Sequence, residues 1–170
     1  MKNVILVDLN DNPVGKMEKI EAHEKPVLHR AFSIFLINEN KILIQKRAKT
    51  KYHSAGLWAN ACCSHPETND IFKEAQSRLF EELGIKEQIN LKELYSFVYF
   101  AKLENLFEYE LDHVLVGNYE GKIEINEEEA EEYMWVTVES LEKELIKNPK
   151  KFAPWFLICA PKVIKYLKNN

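Results

Sequence analysis

Strand-like and helix-like segments follow one another along this chain without a regular strand–helix–strand rhythm, and that order narrows the fold more than composition does. Val4–Val7 reads as a short strand, and Asp11-Asn12-Pro13 supplies turn chemistry after it. Lys16–Glu24 reads as helical or irregular. Ala31–Ile37 and Lys41–Gln45 are apolar strands on either side of Asn38-Glu39-Asn40, which predicts a hairpin. A basic loop, Lys46–Ala55, leads to a strand over Leu57–Cys63 and a loop over Ser64–Asp70. Strands follow over Leu94–Leu103, Phe107–Tyr119 and Glu132–Val136. Helices follow over Val138–Lys147 and Trp155–Leu167, with Pro154 where a first-turn proline is tolerated. This succession predicts an α+β sandwich rather than a doubly wound parallel sheet.

The sharpest helix signal is Ile71–Leu83. Asp70 stands at the N-cap position and Gly84 follows the last turn. Ile71, Phe72, Ala75, Leu79 and Leu83 form one apolar stripe, as a 3.6-residue repeat requires. Glu82 projects onto the edge of that stripe, where a carboxylate is either a rim residue or a functional one. Glu74, Arg78 and Glu81 fall on the adjoining polar side.

With 170 residues and a 46% hydrophobic content, the chain fits a single domain over 1–170 that needs no disulfide staple. Its three cysteines include the adjacent pair Cys62 and Cys63, a pattern of a reducing compartment rather than a disulfide framework. The N-terminal apolar run Val4–Val7 is too short for a signal peptide or a membrane span, so a cytoplasmic protein with no membrane association is expected. A net charge of −4 argues against a nucleic-acid partner but leaves room for a small anionic substrate held by local cations.

Chemistry-bearing residues gather in a few segments. In the strand over Phe107–Tyr119, Glu108, Glu110 and Asp112 alternate onto one face. Three carboxylates on one face repel unless water, cations or a metal compensates, so this face is either solvated or part of a metal site. Histidines from other segments could complete such a site. Three imidazoles with two carboxylates suit Mn²⁺ or Zn²⁺ better than Mg²⁺. Cys63 leaves its strand just before Ser64-His65-Pro66. It is either a partly exposed thiol whose pKa nearby cations lower, usable as acid or base, or a small buried hydrophobe. Lys46, Arg47, Lys49 and Lys51 crowd one loop. With Lys19 and Arg78 they are either solvated charges or a set that neutralises a diphosphate.

Together these segments resemble the type I isopentenyl-diphosphate isomerases, a branch of the Nudix fold. The resemblance runs through AHE…VLHRAFS (Ala22–Ser33), QKRAKTK (Gln45–Lys51), GLWANACCSHP (Gly56–Pro66), SRLFEELGI (Ser77–Ile85), FEYELDHV (Phe107–Val114) and APWF (Ala153–Phe156). It implies an α/β/α sandwich with a mixed sheet, and interconversion of isopentenyl and dimethylallyl diphosphate. By position it implies that His23, His29, His65, Glu108 and Glu110 are metal ligands. Cys63 and Glu110 match the pair that moves protons on opposite faces of the substrate. Glu82, with the carbonyl of Cys63, matches a second site where Mg²⁺ bridges to the diphosphate. Lys19, Arg47, Lys51 and Arg78 match diphosphate contacts, Tyr99 a tyrosine bonded near the catalytic glutamate, and Trp155 an aromatic facing the hydrocarbon tail. His53 and His113 are left as structural or surface residues. The implied partner is a small prenyl diphosphate, taken up by a monomer or weak dimer.

The resemblance also poses a conflict. A metal on Glu110 lowers its pKa, yet the reaction asks it to carry a proton. A resolution is that one oxygen ligates the metal while a water or tyrosine proton reaches the other. The chain departs from the hydrolase pattern of the wider fold family. Ser77-Arg78 replaces its Arg-Glu start, and its upstream glycine and glutamate positions fall on Cys63 and Asn69. Those departures favour isomerisation over hydrolysis.

Overall fold

The computed structural model describes every residue except Met1, Tyr52 and Glu104. In chain order the elements are β1 (Asn3–Val7), β2 (Pro13–Glu18), α1 (Lys19–Glu24), β3 (His29–Asn38), β4 (Lys41–Arg47), β5 (Trp58–Asn60), β6 (Cys62–Ser64), α2 (Ile71–Leu83), β7 (Lys92–Leu103), β8 (Leu106–Asn118), β9 (Ala130–Thr137), α3 (Val138–Lys147) and α4 (Pro154–Lys168). A short 3-10 turn, Pro149–Lys151, joins α3 to α4.

The strands form one mixed sheet. β3 sits at its centre, antiparallel to β1, β4 and β6 and parallel to β8. β8 in turn carries β7, and β4 carries β5 and β9. Both faces of β3 are buried, so its sequence is apolar almost throughout. Alternation sends Phe35 and Ile37 to one face, where they pack with Ile42, Ile44, Val114 and Val116 against α3 and α4. It sends Phe32, Ile34 and Leu36 to the other, against Ala75, Leu79 and Leu83 of α2. The result is the expected α/β/α sandwich. Leu79 and Leu83 are fully buried, and truncating either to alanine costs about 2–5 kcal/mol.

The α2 boundaries follow the sequence signals. The Asp70 side chain accepts from Lys73 N at 3.1 Å, and Gly84 closes the helix in the left-handed region at φ 67°. Phe72 departs from the predicted stripe. It is 45% exposed, while Glu82 at the stripe's edge is buried.

Three further expectations need correction. Pro13–Glu18 is a strand, where turn chemistry and the start of a helical or irregular segment were expected, and the helix begins only at Lys19; the strand is a largely exposed edge, so no apolar alternation marks it. The single strand expected over Leu57–Cys63 is two, because β5 pairs with β4 whereas β6 crosses to β3. The basic loop begins later than expected: Lys46 and Arg47 belong to β4, with a register shift between them against β9. The extra residue is Glu131, so the bulge belongs to β9.

Candidate active site

β3 and β8 run side by side with His29 opposite Glu110, and β7 places Tyr99 opposite Glu110 on the other flank. One sheet row therefore carries Tyr99, Glu110 and His29. α1 packs over β8 and brings His23, and the loop after β6 brings His65. The ligand atoms of His23, His29, His65 and Glu110 all lie within 4.8 Å of one another. Glu110 Oε1 is 2.8 Å from His65 Nε2, 3.6 Å from His29 Nε2 and 3.8 Å from His23 Nε2.

The donor chemistry of this group fits a metal ion. His23 Nδ1 is 2.6 Å from Lys19 O, and His29 Nδ1 is 2.8 Å from Val27 O. A carbonyl accepts only, so both rings carry their proton on Nδ1 and turn a bare Nε2 toward Glu110. Backbone carbonyls fix metal-binding imidazoles in this way. His29 Nε2 is buried without a hydrogen-bond partner among the described residues. Burial lowers the His65 pKa to about 3 despite the adjacent Glu110, so this imidazole is neutral at physiological pH. Bare imidazole nitrogens facing a carboxylate oxygen in a buried space are arranged for a cation.

The two oxygens of Glu110 have separate neighbours. Oε1 faces the imidazoles, whereas Oε2 accepts from Tyr99 Oη at 2.7 Å. Burial works to raise the Glu110 pKa, but positive charge among the imidazoles, at His65 first, holds the carboxyl well below its usual range; with the imidazoles neutral, a metal ion would supply that charge. Glu108 shows the opposite balance: burial, then the charge of Glu110, pushes its pKa well up. Tyr99 Oη is also 3.2 Å from Glu108 Oε2. One phenol proton cannot serve two ionised carboxylates, and a protonated Glu108 satisfies both contacts. Glu108 lies outside the four-residue metal group. Its Oε1 is instead 3.1 Å from His53 Nδ1.

His53 was set aside by sequence reasoning, and here the structure corrects it. Its ring stacks at 6.2 Å from that of His23 and meets the Trp155 ring edge-on at 5.9 Å. Burial, followed by the Arg47 charge, lowers its pKa to about 3. Only the tertiary fold brings the loop after β4 over β8, and no local pattern announces it. His113, by contrast, faces away from the site between Asp11 and Glu93.

The face shared by Glu108, Glu110 and Asp112 is buried rather than solvated. Beside Asp112, Ser33 Oγ donates to Asp112 Oδ2 at 2.8 Å, and β6 places Cys63 opposite Ser33. Cys63 Sγ lies 4.0 Å from Arg47 Nη1. Of the two readings open for Cys63, burial decides its pKa: it outweighs the guanidinium and pushes the thiol up to about 12. Cys63 therefore holds a proton at neutral pH.

These groups line a cavity of about 260 Å³, which also receives Lys19, Arg47, Lys51, Arg78, Glu82, Glu129 and Trp155. His23 and His29 lie behind it, fully buried. Arg47, near the end of β4, reaches toward Trp155, with its guanidinium 5.2 Å from the ring. Trp155 Nε1 donates to Asn60 Oδ1 at 3.0 Å, which fixes the indole plane. Lys19 has its pKa lowered by burial and then by the nearby Lys51 charge. Glu82 Oε1 accepts from Arg78 Nη2 at 2.6 Å, and its Oε2 accepts from Gln45 Nε2 at 3.2 Å.

A NUDIX domain matches residues 27–156. The protein named isopentenyl-diphosphate Delta-isomerase 2 in Aromatoleum aromaticum is 43% identical over 170 residues, covering 98% of this chain and 89% of that protein. A protein of the same name in Photorhabdus laumondii is 45% identical, covering 90% of this chain and 87% of its own length. In three dimensions the chain is similar to DR0079 from Deinococcus radiodurans, with a TM-score of 0.77 at 15% identity over 95% of this chain and 98% of that one. The fold, the extent of the match and the identity to these relatives agree: the chain belongs to the isopentenyl-diphosphate Delta-isomerase family, built on the NUDIX domain.

Proposed function

We propose that this single domain interconverts isopentenyl and dimethylallyl diphosphate, with Cys63 and Glu110 as its proton-transfer pair. The observation that carries the reading is the separation of the two Glu110 oxygens, Oε1 toward three imidazoles and Oε2 toward Tyr99. It answers the conflict between metal ligation and proton transfer within one side chain. His23, His29, His65 and Glu110 would hold a Mn²⁺ or Zn²⁺ ion, with Glu108 at its edge. Glu82 and the Cys63 carbonyl would hold a Mg²⁺ that also binds the diphosphate. When bound, these ions supply positive charge that orients Glu110 and neutralises the substrate.

Moving the double bond needs a proton added at one carbon and another removed nearby. One group must therefore carry a proton while its partner lacks one. Cys63, held protonated, and Glu110, held ionised, meet that need with a single proton between them. Arg47 beside Sγ stabilises the thiolate once the proton has left. Tyr99, donating to Oε2, is the neighbour through which the Glu110 proton exchanges. The cationic centre formed on the alkene is exposed to capture by water, so a largely closed, dry cavity is required. The Trp155 ring supplies a π-face worth up to roughly 2 kcal/mol to a desolvated cation. Lys19, Arg47, Lys51 and Arg78 hold the unreactive diphosphate, and that binding energy places the alkene between the proton carriers.

Three free thiols fit action in the cytoplasm, as a monomer or weak dimer. No helix among the described residues is long and apolar enough to cross a membrane. The test is incubation of the metal-reconstituted protein with isopentenyl diphosphate in D₂O. Dimethylallyl diphosphate carrying deuterium is expected, with loss of product in Cys63→Ala. Released phosphate without an allylic isomer would replace this reading with hydrolysis.

A further inference from the structure

The loop before β9 places an anion at the cationic end of the cavity. Glu129 lines the cavity, and its carboxylate forms an ion pair with Lys51. Its other oxygen lies 3.3 Å from Arg78 Nη2. Both cations are thereby engaged from within the chain, and Arg78 is also bound to Glu81 and Glu82. The loop holds Glu129 firmly. Its amide donates to Asn126 O at 2.9 Å, and its carbonyl accepts from Ala48 N at 3.1 Å. These backbone bonds tie it to the basic segment whose Lys51 it meets. Side-chain rotation alone can withdraw the carboxylate, because the backbone anchor does not involve it.

We propose that Glu129 is a built-in competing anion: it occupies Lys51 and Arg78 in the empty cavity and must release them when a diphosphate enters, so it limits substrate affinity and speeds product departure. The proposal rests on the diphosphate reading above. A dianionic or more highly charged group can replace one carboxylate because it offers more charge and more acceptor oxygens to the same donors. The empty state benefits too. Without Glu129, Lys51, Arg78, Arg47 and the nearby Lys19 would repel one another across a small space. The burial that already depresses Lys19 would add to that repulsion.

The test measures binding of inorganic diphosphate with Mg²⁺ to the intact protein by calorimetry, with no turnover involved. Glu129→Gln keeps the shape and the loop bonds while removing the charge. It is expected to bind diphosphate about fivefold more tightly, the change an ion pair of this kind supports. Glu128→Gln removes the same charge from the exposed neighbouring residue and is expected to leave affinity unchanged. In turnover, Glu129→Gln should lower KM while kcat stays level or falls. A role confined to propping Lys51 predicts the reverse, weaker binding and a higher KM. Unchanged or weakened diphosphate binding in Glu129→Gln overturns the proposal, as does an equal gain in Glu128→Gln. Absence of isomerisation would remove the isomerase reading while leaving the diphosphate measurement to stand by itself.

Discussion

At the scale of single residues, the site is a set of side chains whose charge states are fixed by what surrounds them. Glu110 and Glu108 are two residues apart on one strand face, yet positive charge among the imidazoles lowers the pKa of one and burial raises that of the other. With the proposed roles, Glu110→Gln should cost at least ~10²-fold in turnover, read by the deuterium assay, because it would remove both a ligand and a proton carrier. Full turnover in that variant would exclude Glu110 from the chemistry. A pH effect follows from His53 and His65, both lowered from 6.5 to about 3 by burial. Such groups contribute stability that is complete above their unfolded pKa and is lost as pH falls through the folded value. The metal-stripped protein should lose urea resistance between pH 6.5 and 3, with a shallower slope in His53→Gln. The carboxylate face of β8 was legible in the strand alternation, whereas the histidines that join it came from the family resemblance. His53 was legible in neither, because its place depends on a loop crossing another strand. The two readings of Cys63 could not be decided from sequence for a related reason: Arg47 is near, but burial, which no sequence displays, is stronger.

At the scale of elements, helix ends and strand pairing place the residues just described. Gly84 ends α2 with φ 67°, and a Cβ added there would lie 2.9 Å from Glu124 Cβ. Gly84→Ala should destabilise the protein by about 1–2 kcal/mol from the left-handed backbone alone, and by more from that contact. The urea midpoint reads the loss, while kcat of the folded fraction should hold. β4 ends on Arg47 at the cavity, so with the proposed diphosphate contact Arg47→Ala should raise KM more than it lowers kcat. A pure loss of kcat at constant KM would contradict its role as a diphosphate contact. α2, the β3–β4 hairpin and the paired long strands declared themselves through apolar spacing and capping residues. β2 did not, because an exposed edge strand has no buried face to imprint on its sequence. The bulge was equally silent, since it is a property of pairing with β9.

For the whole molecule, the α/β/α layering could be inferred from element order and resemblance, but not the pairing that builds the site. His29 and Glu110 become neighbours only because β3 and β8 run parallel across a long stretch of intervening chain. A metal in the four-residue group would tie α1, β3, the β6 loop and β8 together. Chelation should therefore abolish activity and also lower the thermal midpoint, because an ion that binds only the folded state stabilises it by mass action. An unchanged midpoint and activity after chelation would reject the metal site.

The parallel joining of β3 to β8 bears as well on how the chain is made. During synthesis β3 emerges early and gains β4 and β6 soon afterwards, but the partner for its other edge ends only at Asn118. At about 5–20 residues per second, that edge of an apolar strand waits several seconds for its cover. Through that interval the nascent protein carries an open pairing edge, the kind of surface on which chains join one another. Its vulnerable period is thus set by translation speed between β3 and β8, and slow codons in that stretch should lower the soluble yield without altering the finished enzyme.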